Sequence, residues 1–467
     1  MIEAVDRMRE VHGATSDKRA LGGVLRVGAF NAESYWRPAG RATLPAVSDP
    51  AAADVIVTMD ELLVPWRNPG GTLATMLPME QAQAHHLSKL GVDFKRQPLH
   101  GSVEEWRAAG KPACSYEVAA EGLRKGASTW PDIPISPYAI TASFGALARC
   151  CGQSGRWPEA DDVARVNSKV FSTQLNQRFF PQAKVVVIRS LSDLQRFATE
   201  ISGRPFLLKD PFGVSGKGHF LVKHEASLSR LMKLFAEQIE AGLELEFVAE
   251  AFLEKRSDFS CFCEISPRGE ARICGVQRMH NNAFSYRGSQ PADVEFSGQL
   301  QRRGYFEMLE PFLNALYEER YWGPVCIDSM QLADGTLWPV VEINARESMG
   351  IVAKSICDFL TLHGTTGLLT FLGLSARTVQ PYEQLLAALS RHGMLWHPGQ
   401  SQGILPLSSA SLYVTHDQEK EGLRKGRWYA MLVAKTESEQ AALRDRWTSV
   451  CAAEFGWQLP WASPQHS

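Results

Sequence analysis

The 467-residue sequence has no apolar run that could cross a bilayer. Its apolar stretch Gly367–Leu374 falls far short of the ~20 residues required. The segment Met1–Arg19 is charged throughout and lacks the apolar centre of a signal peptide. Charge bias is also missing: 49 Lys and Arg against 51 Asp and Glu leave a net charge of −2. No basic stripe marks a nucleic-acid surface, so neither nucleic acid nor membrane is an expected partner. The nine cysteines form no metal-ligand ladder: Cys150 and Cys151 are adjacent, Cys261 and Cys263 alternate, and the rest are scattered. An odd count argues against a complete disulfide framework, and reduced thiols in a cytoplasmic protein are expected. No Gly-x-Gly-x-x-Gly follows the first strand-like segment Val24–Phe30, which argues against a dinucleotide-binding dehydrogenase.

What is present is ordinary globular material, 45% hydrophobic and 21% charged, long enough for several lobes. Val24–Phe30 and Asp54–Met59 read as strands, and Pro78–Leu90 has helical spacing. The breaker-rich segment Cys151–Pro158 marks a boundary. A helix is expected from Glu159 to Phe180, and strands follow at Ala183–Arg189 and Pro205–Lys209. After a glycine-rich loop come a strand at His219–Val222, a helix from Glu225, and strands near Glu246–Glu250, Phe259–Ile265 and Glu270–Met279. The turn Asp334-Gly335 between apolar runs predicts a hairpin of Pro324–Leu332 with Leu337–Ile343. In the tail, strands at Ala410–Val414 and Trp428–Ala434 precede a helix to Phe455. The hexapeptide Glu-Gly-Leu-Arg-Lys-Gly occurs at Glu121–Gly126 and Glu421–Gly426, both read as helix ends.

Two local patterns carry chemistry. In Leu207–Val222 a lysine, Lys209, closes an apolar strand, and Gly213, Gly216 and Gly218 follow. Glycines let backbone N–H groups approach phosphate oxygens. The lysine precedes the loop, unlike a protein kinase, and a strand rather than a helix follows, unlike a Walker loop. The second pattern is Asp328 with Glu342 and Asn344. Alternation places Glu342 and Asn344 on one strand face, and the hairpin brings Asp328 beside them. Two carboxylates and an amide oxygen make an all-oxygen set suited to Mg²⁺. Arg346 continues that face and can hold a phosphate or carboxylate bidentately.

In this order the pieces resemble the ATP-grasp superfamily over roughly Arg165 to Ile356. The resemblance implies an α/β (α+β) fold: a polar leader (1–22), a Rossmann-like pre-ATP-grasp lobe (23–152), a two-lobed ATP-grasp domain with antiparallel sheets (153–375) and a small C-terminal α/β lobe (376–467). It implies ATP with Mg²⁺ or Mn²⁺ as cofactors. Lys169 and Lys209 would approach the phosphates, and the loop Gly213, Ser215, Gly216 and Gly218 would cover them. Glu250 would begin the hinge, with backbone groups of Ala251 and Leu253 reading adenine. Asp258, or alternatively Glu254, would hold the ribose, and Asp328, Glu342 and Asn344 the metal. His219 stands where the family often has another glycine.

The nearer resemblance is to amide-forming ligases, including peptide ligases of natural-product pathways. These join a carboxylate to an amine through an acyl phosphate and release ADP and phosphate. Amino acids or short peptides are the implied substrates, and a homodimer is compatible with the resemblance. Arg346 and Arg278 are the candidates to stabilise the acyl phosphate. Ser348 and Gly350 open a helix that could take a carboxylate, and Asn281–Gln290 reads as a polar lid carrying Tyr286 and Arg287. His280 and the pair His85-His86 are read as structural. The same nucleotide site would also suit a small-molecule kinase that stops at phosphoryl transfer, or a degenerate nucleotide-binding module.

Overall fold

Three sheets organise the chain. The computed structural model describes residues 23–45, 49–66, 70–213, 218–282, 285–378, 380–415 and 422–458. Strands β1 (Leu25–Val27), β2 (Thr72–Thr75), β3 (Lys95–Pro98) and β4 (Ile135–Pro137) form a parallel sheet in the order β3-β2-β1-β4. Helices fill their connections, as parallel pairing requires. Strands β5 (Val185–Ile188), β6 (Phe206–Lys209), β7 (His219–Val222) and β8 (Phe247–Ala251) form an antiparallel sheet in the order β5-β8-β6-β7. The third sheet runs β13-β12-β9-β10-β11-β14-β16-β15. Its strands are β9 (Lys255–Ile265), β10 (Ala271–Asn282), β11 (Ser285–Pro291), β12 (Gly323–Leu332), β13 (Leu337–Asn344), β14 (Gly367–Ala376), β15 (Gly403–Pro406) and β16 (Arg424–Val433). Among the described residues, no helix is long and apolar enough to cross a membrane.

Several elements depart from the sequence expectation. The segment read as a strand at Asp54–Met59 belongs to helix Pro50–Val57 and the turn after it. The Asp49 side chain accepts from the Ala52 N–H and Pro50 opens the helix, so cap chemistry overrides the apolar run. The single helix expected over Glu159–Phe180 is two, Ala160–Asn167 and Lys169–Phe179. Ser168 is extended between them, and its hydroxyl accepts from the Val170 N–H. Lys169 therefore sits at the start of a helix. Ala410–Val414 is not a strand but contains the short helix Ala410–Tyr413. The two hexapeptide copies also differ. The first ends helix Ser115–Arg124, with Gly126 at φ +65°. The second enters β16, where a Cβ on Gly426 would stand 2.7 Å from the Leu412 carbonyl oxygen. Tertiary packing decides the outcome.

The boundary expected at 375 falls inside β14, and the tail continues the same sheet. In β16, Tyr429, Met431 and Val433 face the main core, while Trp428, Ala430 and Leu432 face a second core. That second core is closed by helix Tyr382–Arg391 and helix Glu437–Phe455, the latter through Trp447 and Cys451. The N-terminal lobe docks against this region. Gln83 donates to the Pro406 carbonyl (2.9 Å) and accepts from the Tyr382 hydroxyl (2.9 Å), and the buried Glu61 accepts from the Ser409 hydroxyl (2.8 Å).

His86 lies in the same contact, buried, with its ring 5.9 Å from that of His397. Burial, with His397, Lys89 and His85 nearby, pulls its pKa down to about 4. The unfolded chain binds this proton near pH 6.5 and the folded chain does not. Its contribution to stability is thus complete above pH 6.5 and is lost as pH falls toward 4. Lowering the pH from 7 to 5 should cost the native protein on the order of 1–2 kcal/mol in urea unfolding that His86→Gln does not lose. Equal losses in both proteins would contradict this assignment.

Candidate active site

The floor of the site is the β12–β13 hairpin. Gly335 adopts φ +89° in its turn, and the Asp334 carboxylate accepts from the Thr336 N–H (2.8 Å). The register that follows puts Asp328 directly opposite Glu342 and Cys326 opposite Asn344. Ser260 on β9, opposite Asp328, donates to its carboxylate (2.7 Å), and the Asn344 amide donates to its other oxygen (3.2 Å). Burial, and then the neighbouring Glu342, raise the Asp328 pKa to about 6. Among the described residues no group of three His, Cys, Asp or Glu converges on one point. The third member of the set, the Asn344 amide, turns its nitrogen to Asp328 and its oxygen to Arg346 (3.0 Å).

Both lysines named from sequence reach this floor or its wall. Lys169, at the start of its helix, is nearly fully buried and bonds Glu342 (2.8 Å) and the Gly213 carbonyl (2.6 Å). Its own N–H donates to the Pro211 carbonyl (3.0 Å), tying the helix start to the glycine loop. Lys209, at the end of β6, is ion-paired with Glu250 on β8. Asp210 gathers the ends of the loop: its N–H donates to Gly218, its carboxylate accepts from Phe212 (2.9 Å), and Arg37 pairs with it. Gly218 has φ +82°, and a Cβ there would lie 3.0 Å from the Asp210 Cβ, so glycine is required. Ser215 and Gly216 lie outside the described residues. His219 faces Lys209 across the β6–β7 ladder. Burial, then Lys209 and Lys169, push its pKa down to about 2, so the imidazole is neutral beside the two cations.

Lys209, His219, Glu250, Ser260, Asp328, Glu342 and Asn344 line one cleft of about 1000 Å³ between the four-stranded and the eight-stranded antiparallel sheets. Its apolar end is walled by Leu207 and Leu221 from one sheet and Met330, Trp338 and Val341 from the other. At the hinge, the Ala251 N–H is committed to the Lys184 carbonyl (3.2 Å) and the Phe252 N–H to Pro205 (3.0 Å). The Ala251 N–H is thus spent away from the cleft, whose wall Ala251 joins. Leu253 lines the cleft two residues on. Asp258 also faces the cleft, paired with Lys255 and accepting from the Asn281 amide (2.7 Å); Glu254 lies nearby on the wall.

Arg346 is buried and held on three sides. It bonds Glu33 of the N-terminal lobe (2.8 Å from Nε), the Asn344 amide oxygen (3.0 Å) and the Glu347 carbonyl (2.9 Å). Arg26 on β1 bonds Glu347 (2.6 Å), and the Glu347 N–H donates to the Tyr138 carbonyl (3.0 Å). The parallel sheet thus clamps the segment after β13. Ser348 caps helix Met349–Thr361 by accepting from the Ile351 N–H. At Gly350 a Cβ would stand 2.6 Å from the Phe262 ring, so close packing explains this glycine.

Two expectations are corrected. Arg278 does not join the cleft: it pairs with Asp293 (3.3 Å) and stacks on Phe296 (4.2 Å), because alternation along β10 turns Met279 and Asn281 inward instead. Of the polar segment read as a lid, Asn281 and Asn282 end β10 and residues 285–290 belong to β11, with Arg287 and Tyr286 lining the cleft, while positions 283 and 284 lie outside the described residues. Glu33, Ser260, Lys255 and Arg427 were not found from sequence. Each comes from a segment with no recognisable motif; sheet register brings in Ser260, Lys255 and Arg427, and the helix Ala32–Trp36 brings in Glu33.

The fold is the ATP-grasp fold. The structure superposes on the ADP complex of purK, an N5-carboxyaminoimidazole ribonucleotide synthetase, with a TM-score of 0.50 and 12% identity over 93% of this chain and 97% of that one. It matches the biotin carboxylase domain of Hydrogenobacter thermophilus 2-oxoglutarate carboxylase equally well, with a TM-score of 0.50 and 14% identity over 94% of this chain and 90% of that one. That domain was crystallised as a dimer with MgADP, ADP and bicarbonate. No protein-family model and no curated protein matches the chain in sequence.

The Glu33–Arg346 pair makes a structural prediction. Glu33→Ala leaves a buried guanidinium without its carboxylate, at an expected cost near 3–5 kcal/mol in urea unfolding. A loss below about 1 kcal/mol would mean that the pair is not the clamp described.

Proposed function

We propose that this chain is an ATP-dependent carboxylate–amine ligase that works through an acyl phosphate and releases ADP and phosphate. The observation that carries the reading is the convergence of Asp328, Glu342, Asn344 and Lys209 on one cleft between two antiparallel sheets, with Lys169 bonded to Glu342 and to the Gly213 carbonyl. Two solved enzymes of the same fold were seen with ADP, one of them with magnesium, which agrees with a nucleotide here.

In this reading adenine lies between Leu207, Leu221, Met330 and Trp338, against the Ala251–Leu253 hinge, with the ribose near Asp258. Lys209 and Lys169 approach the phosphates. Asp328, Glu342 and Asn344 would hold Mg²⁺ or Mn²⁺, which when bound offsets the charge of the phosphoryl oxygens. One lysine ~4 Å from a phosphate oxygen contributes on the order of 4 kcal/mol at an effective dielectric of ~20. A substrate carboxylate attacks the γ-phosphorus to give an acyl phosphate and ADP. Arg346, fixed by Glu33 and Asn344, is positioned to stabilise that anhydride. An amine then attacks the acyl carbon and expels phosphate. Amino acids or short peptides fit the acid and amine roles, with an amide or peptide bond as product.

Hydroxylamine supplied in place of the amine should yield a hydroxamate together with ADP when a competent acid is present. AMP and pyrophosphate would contradict the acyl-phosphate route, and a stable phosphorylated product indifferent to amines would make the protein a kinase. Glu342→Gln should lower ADP release by roughly 10²–10³ while leaving the fold intact; near-native turnover would remove the metal assignment. Lys209→Ala should weaken Mg-ATP binding at least tenfold in calorimetry, and unchanged affinity would count against its place at the phosphates.

A further inference from the structure

Segment 37–44, which follows helix Ala32–Trp36, leaves the N-terminal lobe and joins the four-stranded one. The Glu244 N–H donates to the Gly40 carbonyl (2.9 Å) and the Ala42 N–H to the Glu244 carbonyl (2.9 Å), closing a parallel bridge at Arg41. The Arg41 side chain pairs with Glu244 (2.9 Å), and the Gln238 amide exchanges two bonds with the Thr43 backbone (2.7 and 3.0 Å). Ala42 and Leu44 are buried in the core that also holds Phe235 and Phe247. A piece of one lobe is thus built into its neighbour. The root of this strap is fixed from behind: the Trp36 indole donates to the Ile140 carbonyl (3.0 Å), and the Arg37 N–H donates to the carbonyl of Glu33, whose carboxylate holds Arg346.

From that root one side chain reaches the segment after Lys209. Arg37 gives one guanidinium nitrogen to the Ala42 carbonyl (2.8 Å) and another to the buried Asp210 carboxylate. Asp210 in turn holds both described ends of the glycine-bearing segment. Its carbonyl accepts from the Gly213 N–H (3.2 Å), its second carboxylate oxygen from the Phe212 N–H (2.9 Å), and its own N–H donates to the Gly218 carbonyl (2.8 Å). Among the described residues Arg37 is the only ion-pair partner of Asp210. An acid at this place is unexpected beside a polyphosphate, because an uncompensated buried carboxylate is costly and repels a second anion. A rigid, bidentate guanidinium removes both objections and fixes the carboxylate in one orientation. We propose that Arg37 is a positioning residue for the phosphate end of the nucleotide, acting from the N-terminal lobe through Asp210. Its support on a helix held at Trp36 and Glu33 keeps that orientation constant, as a preorganised site requires. This inference rests on the nucleotide part of the proposed function.

The test is calorimetric titration of the full chain with two probes. One is a non-hydrolysable ATP analogue with Mg²⁺; the other is adenosine, which shares the adenine end of the cleft and lacks the phosphates. The native protein should bind the analogue more tightly than adenosine. Arg37→Ala should cut that advantage roughly tenfold while leaving adenosine affinity within about twofold, which also reports that the variant folds. Arg37→Gln, which keeps the volume and loses the charge, gives the same comparison if alanine unfolds the protein. In an Asp210→Asn background, where the anion is gone and the bond from Phe212 can persist, removing Arg37 should cost less than about twofold. An advantage unchanged by either substitution, equal losses for the two probes in both variants, or the full loss repeated in the Asp210→Asn background would overturn the positioning role alone. A native protein that binds the analogue no better than adenosine, or binds neither, would instead overturn the nucleotide reading on which it rests.

Discussion

Two carboxylates, Asp328 and Glu342, stand directly opposite one another on adjacent antiparallel strands at the floor of a cleft. Ionised acids at cross-strand distance repel by roughly 3 kcal/mol at an effective dielectric of ~20, and like pairs so placed destabilise a sheet. Much of the surrounding structure offsets that repulsion. Lys169 binds Glu342, Ser260 and Asn344 donate to Asp328, and Arg346 bonds Asn344 behind them. A protein selected only for stability would place apolar residues here. Retaining the pair makes sense where a divalent cation and phosphoryl oxygens complete the charge balance.

The three sheets divide this work. The eight-stranded sheet carries the acids, the four-stranded sheet carries Lys209, and the N-terminal lobe carries, on helix Ala32–Trp36, the Glu33 that holds Arg346 in place. Arg26, Glu33 and Tyr138 come from three different segments of the N-terminal lobe, and all three converge on Arg346 and Glu347. The tail contributes through continuity of the large sheet, because Arg427 and Tyr429 reach the cleft only when β16 pairs with β14.

The floor of the site was legible in the sequence because it is local. A strong Asp-Gly turn fixes one register, and period-two alternation then assigns faces, which places Asp328, Glu342 and Asn344 together without any tertiary information. The strand that ends on Lys209 was legible for the same reason. The misreadings have mixed causes. Helix Pro50–Val57 was hidden by an apolar run whose fate its caps decide. The second Glu-Gly-Leu-Arg-Lys-Gly copy became strand because β14 was waiting for a partner. Arg278 faces away from the cleft because the β10 face was assigned without knowing which neighbour buries Met279. Glu33 had no signal at all, since its meaning depends on an arginine more than 300 positions away.

The central claim is that this cleft binds nucleotide through a divalent cation held by the β12–β13 hairpin. Calorimetric titration of ATP into the intact protein, once with excess Mg²⁺ and once with the metal chelated, tests it most directly. The account predicts saturable one-to-one binding with magnesium and at least a tenfold weaker affinity without it. Equal affinity in the two titrations, or no binding in either, would contradict it.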